Sequence, residues 1–352
     1  MSAKSDEAAN YEYVNARVRH RRASLFAPED YRKLLRMGPG EIARFMEETE
    51  YEDEINALGS RHSGVDLVEY ALNRNLARHF DDLLRWSEGV LYEQIARYLR
   101  KFDAWNVKTV LRGIYSGSAA DAIDDDLIRA GELDGDLLDR LVQVPDIEEA
   151  VELLDSTRFG DALADAYEDY EETGLLVPLE NAVDRAYYEG LLAGVEESSN
   201  RATQLYVEFL EAEIDFRNVR NALRLARTGA DIDPAAYFIE GGTLFDADDL
   251  RRLAGNEDEL VEHLRESTYG DDLSGALDEL SAAESLTGFE RALDEALLEY
   301  SEHLSYQFPL SVCPVLAFVL AKEREVDNVR AIARGREAGL NEDEIENELV
   351  ML

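Results

Sequence analysis

Lysine is scarce in this chain. Of 352 residues, Lys and Arg together supply 36, and only Lys4, Lys33, Lys101, Lys108 and Lys322 are lysines. Against them stand 77 acids, for a formal net charge of −41. Nucleic-acid binding rests on cationic side chains neutralising phosphates, and this balance excludes it. Cysteine is scarcer still: Cys313 alone excludes an internal disulfide and any cysteine-based metal cluster. A long hydrophobic run is also missing. The longest apolar stretch, Phe308 to Leu320, is interrupted by Pro309, Ser311 and Pro314, and it falls short of the ~20 residues a spanning helix needs. The first ten residues are polar, without the apolar region of a secretory signal. The expectation is a soluble, cytoplasmic protein that meets a membrane only through partners.

Several chemical signatures are absent too. No lysine follows a glycine with Walker A spacing, so no P-loop is expected. Gly38-Pro39-Gly40-Glu41-Ile42-Ala43 touches the dinucleotide pattern but follows a helical Tyr31–Met37 instead of a strand, and reads as a turn between helices. Ser116, in Gly113-Ile114-Tyr115-Ser116-Gly117, lacks nucleophile-elbow spacing. The histidines (His20, His62, His79, His263, His303) are scattered. Glu259 with His263 and Glu299 with His303 share helix faces, but di-iron bundles place Glu and His three apart, and solvated pairs are the simpler reading. Asp124-Asp125-Asp126 lacks the alternating ligands and closing Glu of a calcium loop. No catalytic residue, metal ligand or cofactor is expected.

What is present is charge, helix and repetition. At −41, surface carboxylates repel one another and oppose the compact state. Dense salt shortens the Debye length to roughly 3 Å at 1 M and removes that cost. Acidic disorder is excluded, because the acids are interleaved with regular apolar residues and 45% of the chain is hydrophobic. The charge therefore reports a high-salt cytoplasm. Seven prolines, abundant Ala, Leu, Glu and Arg, and apolar spacings such as Leu91, Ile95, Tyr98 and Leu99 point to helix throughout. Ala27-Pro28-Glu29-Asp30 reads as a helix start, and Asp146, Asp246 and Asn341 stand where caps belong.

Three unrelated segments recur at one common step of about 110 residues. The first is Asp103-Ala-Trp-Asn106-Val-Lys108-Thr-Val-Leu-Arg112, repeated as Asp215-Phe-Arg-Asn218-Val-Arg220-Asn-Ala-Leu-Arg224 and Glu325-Val-Asp-Asn328-Val-Arg330-Ala-Ile-Ala-Arg334. The second pairs Glu69 and Asn73 with Glu180 and Asp184, and with Glu290 and Asp294. The third is an aromatic before acids: Tyr51-Glu-Asp, Phe159-Gly-Asp and Tyr269-Gly-Asp. A fourth copy of the first segment lies near the N-terminus, Glu12-Tyr-Val-Asn15-Ala-Arg17-Val-Arg-His-Arg21. The length exceeds one ordinary core. The expectation is an all-α protein of three pseudo-symmetric helical-bundle repeats, residues 1–105, 106–217 and 218–352, forming a funnel or socket with its first and last helices in related positions.

In every copy a base stands two residues after the Asn (Arg17, Lys108, Arg220, Arg330) and an Arg six after it (Arg21, Arg112, Arg224, Arg334). Four apart, the two share a face, away from the apolar stripe. They either bind carboxylates of neighbouring helices, with Glu69, Glu180 and Glu290 as candidates, or form a rim for an acidic partner. The first reading is favoured, because fixing helix orientation needs such pairs in each repeat. Asn15, Asn106, Asn218 and Asn328 read as buried hydrogen-bonders between helices.

The stretch Pro314-Val-Leu-Ala-Phe-Val-Leu-Ala-Lys322-Glu-Arg-Glu-Val-Asp-Asn-Val-Arg-Ala-Ile-Ala-Arg-Gly335-Arg-Glu-Ala-Gly resembles the end of the C-subunit family of archaeal-type ATP synthases, relatives of the d subunit in vacuolar-type ATPases. Tyr13-Val-Asn-Ala-Arg17-Val-Arg19, with Tyr31, Leu34 and Leu35, is similar to that family's opening. The likeness covers nearly the whole chain and departs mainly in charge, as at Arg334-Gly335-Arg336, where Gly-Lys is expected. The resemblance implies a non-catalytic, funnel-shaped rotor component on the cytoplasmic face of the membrane rotor ring. Such a component receives the central shaft of D and F subunits and passes torque between ion-driven rotation and ATP synthesis. Peripheral attachment, through ring and shaft partners, follows from the same resemblance. The alternative is a helical-repeat interaction scaffold of a halophile unrelated to rotary motors; an enzyme, needing converging His or carboxylate groups, is the weakest reading.

Overall fold

The computed structural model describes residues 9–193, 195, 200–228, 237–271, 274, 277–278 and 286–350, and among these every regular element is helical. In chain order the helices are α1 (Tyr11–Arg22), α2 (Pro28–Leu34), α3 (Pro39–Met46), α4 (Glu52–Leu58), α5 (Gly64–Trp86), α6 (Gly89–Leu99), α7 (Lys101–Ser116), α8 (Ala120–Asp125) and α9 (Gly135–Leu141). They continue with α10 (Ile147–Leu154), α11 (Gly160–Thr173), α12 (Val177–Leu192), α13 (Arg201–Thr228), α14 (Ala247–Leu253), α15 (Glu257–Arg265), α16 (Leu286–Gln307), α17 (Cys313–Glu337) and α18 (Glu342–Glu346). The side chain of Phe289, in the second repeated segment, lies outside the described residues.

Helix ends fall where short polar side chains satisfy the first free backbone N–H groups. Asp146 accepts from the Glu149 N–H to open α10. Asp246 and Asn341 form reciprocal boxes with Asp249 and Glu344 at the starts of α14 and α18. All three were legible as caps in the sequence. Gly117 and Gly174, at φ 73° and 69°, take the left-handed turn that ends α7 and α11.

The chain divides into two compact units, Met1–Val14 with Pro39–Leu191, and Asn15–Gly38 with Leu192–Leu352. In the first unit, α5 is the central helix, with α3, α4 and α6 packed on it. Its Val65, Val68, Leu72, Leu76, Phe80 and Leu83 recur at helical spacing and are buried. Each such side chain contributes about 1.5–3 kcal/mol by leaving water. Helix α7 buries Phe102, Val107, Val110 and Leu111 and meets α6, α8 and α10.

In the second unit, α16 packs against both α13 and α17, and α2 and α18 lie on α17. Phe216, Val219 and Leu223 of α13 join Leu250, Leu253, Leu260, Leu264 and Leu293 in one core. The apolar stretch 308–320 splits between the α16–α17 turn and the opening of α17. Among the described residues, no helix is long and apolar enough to cross a membrane.

Candidate functional site: the repeated polar anchors

A primary amide carries a donor and an acceptor side by side, the same pair a peptide group presents. Three of the four repeated asparagines use both against the backbone of one residue. Asn106 donates to the Ile128 carbonyl at 2.8 Å and accepts from the Ile128 N–H at 2.8 Å. Asn218 treats Ile239 in the same way, at 2.8 and 3.0 Å. Asn328 does so with Val350, at 2.7 and 3.0 Å. All three side chains are at least 97% buried. Each thus holds a returning segment that has no sheet or helix to satisfy it.

One turn earlier on the same helices lies an acid. Asp103 accepts from the Glu132 and Leu133 N–H groups at 3.0 and 2.9 Å. Asp215 accepts from Thr243 and Leu244 at 2.8 and 2.9 Å, and from the Thr243 hydroxyl at 2.9 Å. Burial raises both carboxyls above their ordinary range, and the backbone donors oppose that rise. Acid and amide together pin about one turn's length of returning chain against the helix.

Close approach needs glycine at the acid. A Cβ on Gly131 would stand 1.9 Å from the Asp103 Oδ1, and one on Gly242 would stand 2.2 Å from the Asp215 Oδ1. The motif Ile128-x-x-Gly131-x-Leu133 recurs as Ile239-x-x-Gly242-x-Leu244. This return segment was not singled out from the sequence, although its own repetition marks it.

The bases of the repeated helix reach other helices. Lys108 and Arg112 of α7 pair with Asp184 and Glu180 of α12. Arg220 and Arg224 of α13 pair with Asp294 and Glu290 of α16, the Arg224 Nη2 to Glu290 Oε2 distance being 3.0 Å. The repeated helix of one copy is therefore tied to the repeated Glu helix of the next. Arg330 instead contacts Asp327 on its own helix at 3.1 Å. Arg17 and Arg334 are exposed, Arg21 is half-buried, and Glu69 is buried on α5.

The outer copies differ. Asn15 donates to the Pro309 and Ser311 carbonyls at 3.0 and 2.9 Å, so it holds a turn and not a single residue. Glu325 accepts from the Phe26 N–H at 2.6 Å, 299 residues away, and from the Lys322 ammonium at 2.6 Å. Lys322 and Glu325 are 1% and 2% exposed. Burial, together with the charge of Glu325, raises the Tyr31 hydroxyl. Lys322 had no assigned role in the sequence.

The histidine pairs do other work. Glu259 pairs with Arg252, and His263 meets the Leu244 carbonyl at 3.1 Å. His303 contacts Gln307 at 2.6 Å. The repeated asparagines thus bind returning chain outside the helices, where hydrogen bonds between helices were expected, and the repeated bases of α7 and α13 tie helix to helix.

The chain belongs to the ATP synthase (C/AC39) subunit family, whose model matches residues 14–348. Among curated relatives, it is similar to the C subunit of the A-type ATP synthase of Haloferax volcanii, 66% identical over 98% of both chains. The protein of the same name from Haloquadratum walsbyi is 64% identical over 98% of this chain and 100% of its own. The one from Methanococcoides burtonii is 36% identical over 99% of this chain and 96% of its own. The relatives near 65% identity are haloarchaeal, in keeping with the acidic, lysine-poor surface.

Proposed function

We propose that this chain is the C subunit of an A-type ATP synthase, a non-catalytic central-stalk component. In this reading it joins the membrane rotor ring to a shaft of D and F subunits and carries torque between them during ion-driven ATP synthesis. It attaches peripherally, on the cytoplasmic face, through those partners. Its three repeats, approximately 1–105, 106–217 and 218–352, form a socket for the shaft.

One observation carries the reading: the amide bracket recurs at Asn106, Asn218 and Asn328. Torque transfer requires stiffness. Buried hydrogen bonds that pin backbone to helix supply it, since breaking one leaves groups unsatisfied at about 1–3 kcal/mol each. The ion-pair seams from α7 to α12 and from α13 to α16 act in the same direction. Full-length similarity to proteins named as C subunits of A-type ATP synthases supports the same role.

The test is a pull-down in multimolar salt from the native membrane fraction with the tagged chain. Recovery of rotor-ring, shaft and catalytic-head proteins is the expected result. Their absence, under conditions where the intact synthase survives, removes the stalk role and leaves a helical scaffold.

A further inference from the structure

Acids outnumber Lys and Arg 77 to 36, so a base in this chain ordinarily meets more carboxylate than it needs. One place in the first unit reverses that balance. The Arg100 Nε donates to the Glu132 Oε2 at 2.5 Å, and the Arg158 Nη2 donates to the same oxygen at 3.0 Å. One oxygen thus draws two guanidinium groups together. Arg97, one turn before Arg100, lies beside them and donates to the Leu191 carbonyl at 3.3 Å. Asp103 is close too, but its oxygens are taken by the Glu132 and Leu133 N–H groups. Three cations therefore face two carboxylates, Glu132 and Asp103.

The surplus is felt at Arg158. Burial and the charge of Arg100, with Arg97 adding to it, hold its guanidinium below the ordinary value against the pull of Glu132 and Asp103. Elsewhere, against the same cost of burial, neighbouring acids raise Arg78, Arg129 and Arg324. A guanidinium carries five N–H donors. Among the described residues, Arg100 and Arg158 meet one side-chain partner, Glu132, and one donor of each is used. Their side chains are 21% and 31% exposed, open enough for an ion to reach and partly withdrawn from water.

The bracket beside them does not require this cluster. In the copy around Asp215 and Asn218, the positions of Arg97, Arg100, Glu132 and Arg158 hold Phe209, Ala212, Thr243 and Thr268, all uncharged. That copy pins its return segment in the same way. Stapling therefore does not explain the arginines.

We propose that Arg100 and Arg158, with Arg97 beside them, bind one small monovalent anion of the chloride class next to Glu132. The ion ties residues 131–133 to the α10–α11 turn, and the site stands apart from the stalk role. One surplus positive charge matches a monovalent ion, and N–H groups from two guanidiniums suit a spherical acceptor that imposes no direction of its own. Dense salt favours occupancy. Screening over roughly 3 Å at 1 M removes distant attraction but leaves direct contact. An anion at molar concentration fills even a weak site by mass action.

The experiment follows thermal melting of the full chain in potassium salts of constant, multimolar strength. Chloride is exchanged stepwise for methanesulfonate, a larger and more weakly accepting anion. Wild type is compared with Arg158→Thr and Arg100→Ala, which bring in the residue types of the second copy. Chloride is expected to raise the melting temperature of the wild type more than that of either variant, the general salt effect being common to all three. Equal chloride dependence overturns the proposal. Glu132→Gln separates an anion site from a plain ion-pair cluster: removing the competing carboxylate should tighten chloride about tenfold. A chloride response unchanged or weakened in Glu132→Gln overturns it. Crystals grown in bromide should show an anomalous peak within hydrogen-bond reach of Arg100 and Arg158, absent from Arg158→Thr. No peak there, or a peak that persists in the variant as an adventitious ion only, also overturns it.

Discussion

The anchors at Asp103–Asn106 and Asp215–Asn218 close on their own downstream chain, at most 30 residues away. The anchor at Glu325–Asn328 is split. Its amide closes locally on Val350, but its acid closes on Phe26, from the other end of the sequence. The acid there is Glu instead of Asp, one methylene longer, and a buried lysine shares it. Two copies are thus self-contained joints, while the third ties distant parts of the chain together and carries a buried charge pair. The same helix motif serves local stapling or long-range closure according to what its acid meets.

The largest expected effect lies in the long-range joint. Glu325→Gln leaves the buried Lys322 ammonium without the carboxylate charge of Glu325, at a cost of about 3–5 kcal/mol. Thermal unfolding in multimolar salt should show a large fall in melting temperature. Adding Lys322→Met should recover most of it, since removing both charges removes the desolvation cost. A small loss in Glu325→Gln would mean that the pair does not stabilise the fold.

The local joints should respond less. Asn218→Ala removes the partners of the Ile239 N–H and C=O and should cost about 2–4 kcal/mol, and Asn106→Ala should cost less, because the Ala130 N–H still donates to the Ile128 carbonyl at 2.8 Å. A smaller loss at Asn106 would show that the second donor on the Ile128 carbonyl matters, and a larger loss there would contradict it. Gly242→Ala drives a methyl group into the Asp215 carboxylate and should cost about 1–3 kcal/mol. Gly131→Ala should behave alike, and denaturant titration measures both.

The smallest effect concerns pH. The folded pKa of Asp215 is raised, so the native state holds its proton after the unfolded chain has released it. Its contribution to stability is therefore greatest below the ordinary aspartate value and falls as pH rises toward the raised one. Asp215→Asn should flatten that slope by removing the ionisable group, with little loss of stability, because both backbone donors meet Oδ1, which the amide keeps, and the Thr243 and Tyr269 hydroxyls on Oδ2 can turn from donor to acceptor. Asp103→Asn should also flatten it, but with a loss of stability, because its donors use both oxygens. Melting temperatures across mildly acidic pH would distinguish the two.

Helicity was legible because apolar spacing and caps are local, and Asp146, Asp246 and Asn341 act as read. The repeated Asn, acid and base positions stood out by recurrence alone. Their partners did not. A side chain on a helix announces its type, not the residue it brackets, so Ile128, Ile239 and Val350 could not be named as partners until the chain returned to them. The Ile-x-x-Gly-x-Leu motif could have been found by extending the same comparison past the helix. The tie between Glu325 and Phe26 had no sequence signal, since it repeats nowhere else. Lys322 was similarly silent, because burial of one charge depends on packing from several elements.

The most direct test of the central claim is ion-driven ATP synthesis in vesicles reconstituted from the synthase with this chain omitted and then restored. The expected result is that the catalytic head still hydrolyses ATP without the chain, while synthesis driven by an ion gradient is lost and returns when the wild-type chain is added. Synthesis that persists at full rate without the chain would contradict a role in carrying torque.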